Sequence, residues 1–242
     1  MKTASRSQEA FGKAVLIILL MISSFFIYGF NSIDILDPKF SDDLPSPLLK
    51  SNSMDRFGDP DNFRITREII EATREDQVEF DAFVAELENG NSWQIVGIFV
   101  QDKFEISVVL QPSSNPGFVS GMEDTATQFG MASDYGTLGM LAHNYLAGEY
   151  FFELESGDTV FAVYGDGTYD QYEVKEIKQY QAISPYSAYS NFRDLETNNY
   201  LSVESLFYRI YQGNGELVFQ TCIENEGIDS WGRYFVIAAP VS

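Results

Sequence analysis

One cysteine and one histidine are all that 242 residues contain of either type. A single thiol excludes any intramolecular disulfide. The lack of a second histidine or cysteine excludes zinc-finger-type sites and the paired-histidine zinc proteases. Basic residues are also scarce, 15 against 36 acidic ones, and the formal charge is −21. Such a surface repels phosphate backbones, which argues against a nucleic-acid partner, and it keeps a domain soluble. Internal repeats and low-complexity tracts are absent. What is plentiful is apolar material: 45% hydrophobic and 15% aromatic residues fill a real core. The length suits one globular domain with an anchor and a spacer.

Lys2, Arg6 and Lys13 precede an uncharged stretch from Ala14 to Ile33, and Asp34, Asp37, Asp42 and Asp43 follow it. At ~1.5 Å per residue such a helix reaches about 30 Å, the thickness of a bilayer's hydrocarbon core. The charge asymmetry places the N-terminus in the cytoplasm and the rest outside. A cleaved signal peptide is the competing reading, but no clear small-x-small cleavage site is present. The expected organisation is a cytoplasmic tail and transmembrane anchor over 1–33 and an extracytoplasmic spacer over 34–65. An N-terminal helical region over 66–92 and a β-rich domain over 93–242 follow. An exported protein often meets oxidising conditions, where a spare thiol is a liability. A solitary cysteine kept there invites a reason.

Ile69, Ile70, Thr73, Phe80, Phe83, Val84 and Leu87 recur at three- and four-residue intervals, predicting an amphipathic helix from about Thr66 to Leu87. Asn89-Gly90-Asn91 ends it. From Trp93 the period changes to two. Strands are expected over 93–100, 104–111, 138–143, 158–164, 169–183, 216–221 and 234–239, with turns at Asp102-Lys103 and Gly165-Asp166-Gly167. Residues 112–121 read as a loop. Val203–Tyr211 reads as a short helix capped by Ser202. Many short strands with few helices point to a closed or nearly closed barrel, because closure hides strand edges.

Three places carry chemistry. His143 ends one strand, Cys222 finishes a second, and Arg233 opens the last. A thiolate nucleophile wants a base or cation close by, and a histidine moves protons near neutral pH. A guanidinium aimed at a carbonyl on which charge develops lowers the barrier. Arginine stays charged, so it acts as a clamp and not as a base. Together these are a complete set for acyl transfer. Each also has a plain alternative: a structural histidine, a core cysteine, a solvated edge charge.

The sequences around these residues resemble the sortase family. Ala142-His143-Asn144 through Ala147-Gly148, Phe151, Leu154 and Gly157-Asp158 is similar to the family's histidine segment. Thr221-Cys222 matches the end of its cysteine motif, with Val218-Phe219 where the family has Thr-Leu. The order His, Cys, Arg agrees, over roughly Trp93 to Val241. The resemblance implies a mainly β fold, a closed eight-stranded barrel with a few short helices, preceded by the transmembrane and amphipathic helices. It implies a cysteine transpeptidase working through a thioacyl-enzyme. Cys222 would be the nucleophile, His143 the proton-transfer partner and Arg233 the holder of substrate backbone or oxyanion, with Thr221 and Asn144 in support. The implied partners are exported proteins with a C-terminal sorting signal, an amine acceptor on peptidoglycan or protein, and the membrane. No cofactor and no metal is called for, and Glu123, Asp124, Glu153 and Glu155 read as solvated charge. The altered Val-Phe pair leaves open an idle barrel acting as an anchored binding module, and water in place of the amine would make the enzyme a thiol hydrolase. Tyr186, Tyr189, Phe192, Tyr200, Phe207 and Tyr208 either line a groove or pack as core.

Overall fold

The alternation of apolar and polar residues from Phe104 onward becomes the second of ten strands in the computed structural model, which describes residues 74, 76–187 and 189–241. The strands are β1 (Ile95–Val100), β2 (Phe104–Leu110), β3 (Thr125–Phe129), β4 (Leu138–Leu141) and β5 (Thr159–Tyr164). They continue as β6 (Tyr169–Ala182), β7 (Phe192–Asp194), β8 (Tyr200–Leu201), β9 (Leu217–Asn225) and β10 (Ile228–Pro240). The helices are α1 over residues 76–87, a four-residue α2 (Gly130–Ser133), a 3-10 helix (Ala147–Glu153) and α3 (Val203–Tyr211).

Eight strands form a closed circuit in the order β10-β9-β4-β3-β2-β1-β5-β6, with β6 pairing back onto β10. The barrel is mainly antiparallel; β2–β3 and β4–β9 are parallel. Beyond the point where β5 leaves β6, β7 takes the vacated edge through Tyr180↔Asp194, and β8 adds to β7. Closure leaves no long edge to aggregate.

Each strand divides its side chains between two cores, as the period of two requires. Leu217, Phe219, Tyr234, Val236, Met140 and Ala142 face the barrel interior. Val218, Phe235, Leu141, Tyr180 and Ala182 face outward and are covered by Leu206, Phe207, Ile210 and Tyr211 of α3. A fully buried side chain of this size contributes about 1.5–3 kcal/mol, so α3 is anchored firmly. Its start is fixed by Ser202, whose hydroxyl accepts from the Ser205 N–H at 3.1 Å. A third cluster joins Phe80 and Phe83 of α1 to Val96, Phe99 and Val163, which explains why all six residues of β1 are buried.

The sequence reading needs correction at the strand ends. β9 runs on to Asn225 and β10 begins at Ile228, so Cys222 and Arg233 lie inside strands and not at their ends. The two strands form one long hairpin, closed at Asn225↔Ile228 by Glu226 (φ 53°) and Gly227 (φ 77°). Two successive positive φ angles suit a tight hairpin turn, and the ladder therefore outlasts the apolar run. β4 stops at Leu141, two residues short of His143. β3, the 3-10 helix, β7 and β8 were not expected. The anchor, the spacer and the first turns of the amphipathic helix lie outside the described residues. Among the described residues no helix is long and apolar enough to cross a membrane.

Candidate active site

Cys222 on β9 and Arg233 on β10 are direct partners in the antiparallel ladder. Residues so paired project to the same face. For Cys222 and Arg233 this is the outward face carrying Val218 and Phe235, the one that α3 covers further along. On its other side β9 runs parallel to β4, with Leu141 opposite Gln220. Two residues beyond that pair stand His143 and Cys222. The strands are still tied there: the Ala142 N–H donates to the Gln220 carbonyl at 3.3 Å, and the Thr221 hydroxyl donates to the Ala142 carbonyl at 3.0 Å. Cys222 and Arg233 are thus ladder partners, and His143 follows two residues past the last β4–β9 pair, so the three form a row across three neighbouring chain segments.

Cys222 is a free thiol, half-buried. Gln220, two residues earlier on the same face, accepts from the Tyr211 hydroxyl at 2.5 Å, which ties α3 to the cysteine strand. Thr221, between them, points to the opposite face; it is buried and holds β9 to the end of β4.

Arg233 is only 3% exposed. Its Nη1 donates to the carbonyls of Ser230 (3.2 Å) and Gly232 (2.7 Å), and its guanidinium carbon lies 6.0 Å from the centre of the Phe192 ring. Among the described residues it makes no ion pair. A buried cation with only neutral partners attracts negative charge strongly, because desolvation leaves its field unscreened.

His143 is half-buried, and burial holds its imidazole below the usual histidine range; a hydrogen bond to the Val119 carbonyl partly opposes this. The loop 112–121 thus meets the edge of the ring. His143 opens a turn in which its own carbonyl accepts from the N–H groups of Leu146 and Gly148, both at 3.0 Å. Asn144 and Tyr145 occupy the two middle positions of this turn; Asn144 is half-buried. The 3-10 helix that follows sends Ala147 and Phe151 into the barrel interior, Phe151 packing on Phe219 with ring centres 5.0 Å apart. Gly148 lies where a Cβ would collide with the Thr221 hydroxyl and approach the carbonyl oxygens of His143 and Ala142 to 2.6 and 2.9 Å. Only glycine lets this helix sit so close to β9.

The structure also brings forward residues that sequence reasoning did not single out. The Val119 carbonyl is a backbone group in a loop and leaves no mark in the sequence. Tyr145 stacks on His143, ring centres 5.3 Å apart and planes 18° from parallel. Its phenol is pushed above the ordinary range by burial first, then by Asp229 and Cys222. Of the aromatic residues between β6 and β9, Phe192 and Phe207 are buried, Tyr208 is partly buried, and Tyr186, Tyr189 and Tyr200 are exposed. The loop carrying Tyr186 is tied to β10 by the Ser230 hydroxyl, which donates to the Pro185 carbonyl at 3.0 Å.

No protein-family model matches the chain, and no curated protein matches it in sequence. Among solved structures, the chain is similar to sortase A of Listeria monocytogenes (TM-score 0.37, 13% identity, 61% of this chain and 88% of that one). It is similar to sortase C1 of Streptococcus agalactiae (TM-score 0.41, 15% identity, 73% of this chain and 90% of that one). It is also similar to the sortase D5 transpeptidase of Clostridium perfringens (TM-score 0.37, 15% identity, 70% of this chain and 95% of that one).

Proposed function

We propose that this chain is a sortase-like cysteine transpeptidase held at the outer face of the cell membrane by residues 1–33. The observation that supports this most is the pairing of Cys222 with the buried Arg233 on one face of β9 and β10, with His143 two residues past the end of the neighbouring strand β4.

In this reading Cys222 Sγ attacks the scissile carbonyl of a C-terminal sorting signal, and the thiol proton passes to His143. The carbonyl oxygen becomes an oxyanion, and the guanidinium of Arg233, buried and without a carboxylate partner among the described residues, lowers its energy. Collapse breaks the C–N bond, and His143 returns its proton to the departing amine. A thioester of Cys222 remains. An amine acceptor on peptidoglycan or protein then attacks the thioester, His143 takes the amine proton, and the C–S bond breaks. Cys222 regains the proton as thiol, and the product is a new amide. Thr221 contributes by fastening β9 to β4, and Asn144 by completing the turn that carries His143.

The chain's single cysteine makes the test direct. The full chain is incubated with a sorting-signal peptide, with and without an added amine, beside Cys222→Ala. Cleavage by the wild type alone, with the amine appearing in product, is the expected result. Equal cleavage by both proteins would end the proposal, and cleavage that never incorporates amine would make the enzyme a hydrolase. Placement outside the membrane predicts that a membrane-impermeant maleimide labels Cys222 on intact cells; labelling only after lysis would overturn it.

A further inference from the structure

Tyr145 lies outside the row, yet its ring stacks directly on one of the row's members, His143. The turn His143–Leu146 determines its place. With the Leu146 N–H on the His143 carbonyl, residue 145 is folded back toward residue 143, and its ring stacks on the imidazole in an offset, near-parallel arrangement. Core packing does not account for this contact: Tyr145 is 55% exposed, and the stack lies on the solvent side. The imidazole is then held in two directions, at one edge by the Val119 carbonyl and over one face by the phenol. A ring so held neither tilts out of the row nor turns over without breaking one of the two contacts.

We propose that Tyr145 is a positioning residue for His143: its stacked ring holds the imidazole in line with Cys222 and covers it from water. This rests on the transpeptidase reading of the site. The ring, and not the hydroxyl, performs the task. Burial, followed by Asp229 and Cys222, holds the proton on the phenol and makes it a poor acid near neutral pH. The electron-rich face of the phenol also attracts the imidazolium that forms each time His143 accepts a proton.

The experiment uses the full chain with histidine labelled at the ring carbons. There is one histidine, so a single signal reports His143. Tyr145→Phe keeps the stack; Tyr145→Leu keeps apolar bulk and removes the ring. Tyr145→Phe is expected to keep the wild-type ring-carbon-bound proton shift and a kcat within about twofold. Tyr145→Leu is expected to move that signal, as the ring current disappears, and to lower kcat about 2- to 10-fold with KM little changed. The proposal is overturned if Tyr145→Leu leaves signal and kcat unchanged, if its loss falls on KM alone, or if Tyr145→Phe loses as much as Tyr145→Leu. Failure of the transpeptidase reading is seen separately, in Cys222→Ala, whereas the His143 signal reports the stack whether or not peptide is cleaved.

Discussion

Gly148→Ala is a small change with a calculable effect. The added Cβ would strike the Thr221 hydroxyl and stand 2.6 and 2.9 Å from the carbonyl oxygens of His143 and Ala142, where ordinary contacts are 3.4 Å or more. Two of the three obstacles are backbone, so a side-chain rotation does not relieve them. Overpacking of this kind costs about 1–3 kcal/mol. Alanine recovers about 0.5–1 kcal/mol of the conformational cost of glycine in a helix. The net loss is then about 0–2.5 kcal/mol, centred near 1 kcal/mol, and each kcal/mol lowers Tm by roughly 2–4 °C for a domain of this size. The larger effect is local. Relief requires the 3-10 helix and the turn holding His143 to withdraw from β9. A displacement of ~1 Å between proton-transfer partner and nucleophile costs about 10²-fold in rate. Thermal unfolding and sorting-peptide cleavage on the same preparation test both parts. A folded variant with a lowered Tm and a kcat down about 10²-fold is expected. Unchanged activity with an unchanged Tm would refute the packing argument, and loss of activity only in proportion to unfolding would refute the link to His143.

Arg233→Lys keeps the charge but loses the planar fork and the contact with Phe192, so a folded protein with kcat lower by about 10²-fold is expected; near-normal turnover would remove Arg233 from the role assigned to it. Ser202→Ala removes the cap of α3 and is expected to lower Tm by about 2–4 °C, corresponding to ~1 kcal/mol, without changing kcat well below the transition. Because burial lowers the His143 pKa from the ordinary 6.5, the unfolded chain takes up this proton before the folded one does as pH falls. This contribution to stability is present above about pH 6.5 and is lost as pH drops through the folded value; His143→Gln should flatten that part of the stability profile. A single histidine signal titrating above 6.5 in the folded chain would contradict the sign.

Much of the fold was legible because it follows from local pattern. Helix α3 appears with the expected ends and cap, since Ser202 and the spacing of Val203, Leu206, Phe207 and Ile210 are local facts. The turns at Asp102 and Gly167 close β1–β2 and β5–β6 as expected. The ends of β9 and β10 were misjudged because an apolar run marks where a strand is buried, not where its ladder stops. Asn225 remains paired though exposed. β3 was missed because its five residues, Thr-Ala-Thr-Gln-Phe, have little apolar alternation and owe their extended form to the neighbours β2 and β4.

The sequence by itself determined the inventory: one thiol, one imidazole, an arginine beside them in chain order, and residue patterns that favour a barrel. Covalent identity and short-range preference need no neighbours. Which groups share a face was decided only by strand register. The ladder sets Cys222 opposite Arg233, and the pairing of β4 with β9 brings the segment that carries His143 alongside the cysteine strand, although 79 residues separate His143 from Cys222. The Val119 carbonyl and the Tyr145 stack also belong to the folded state alone. They are made by a loop and a turn whose course depends on everything packed beneath them.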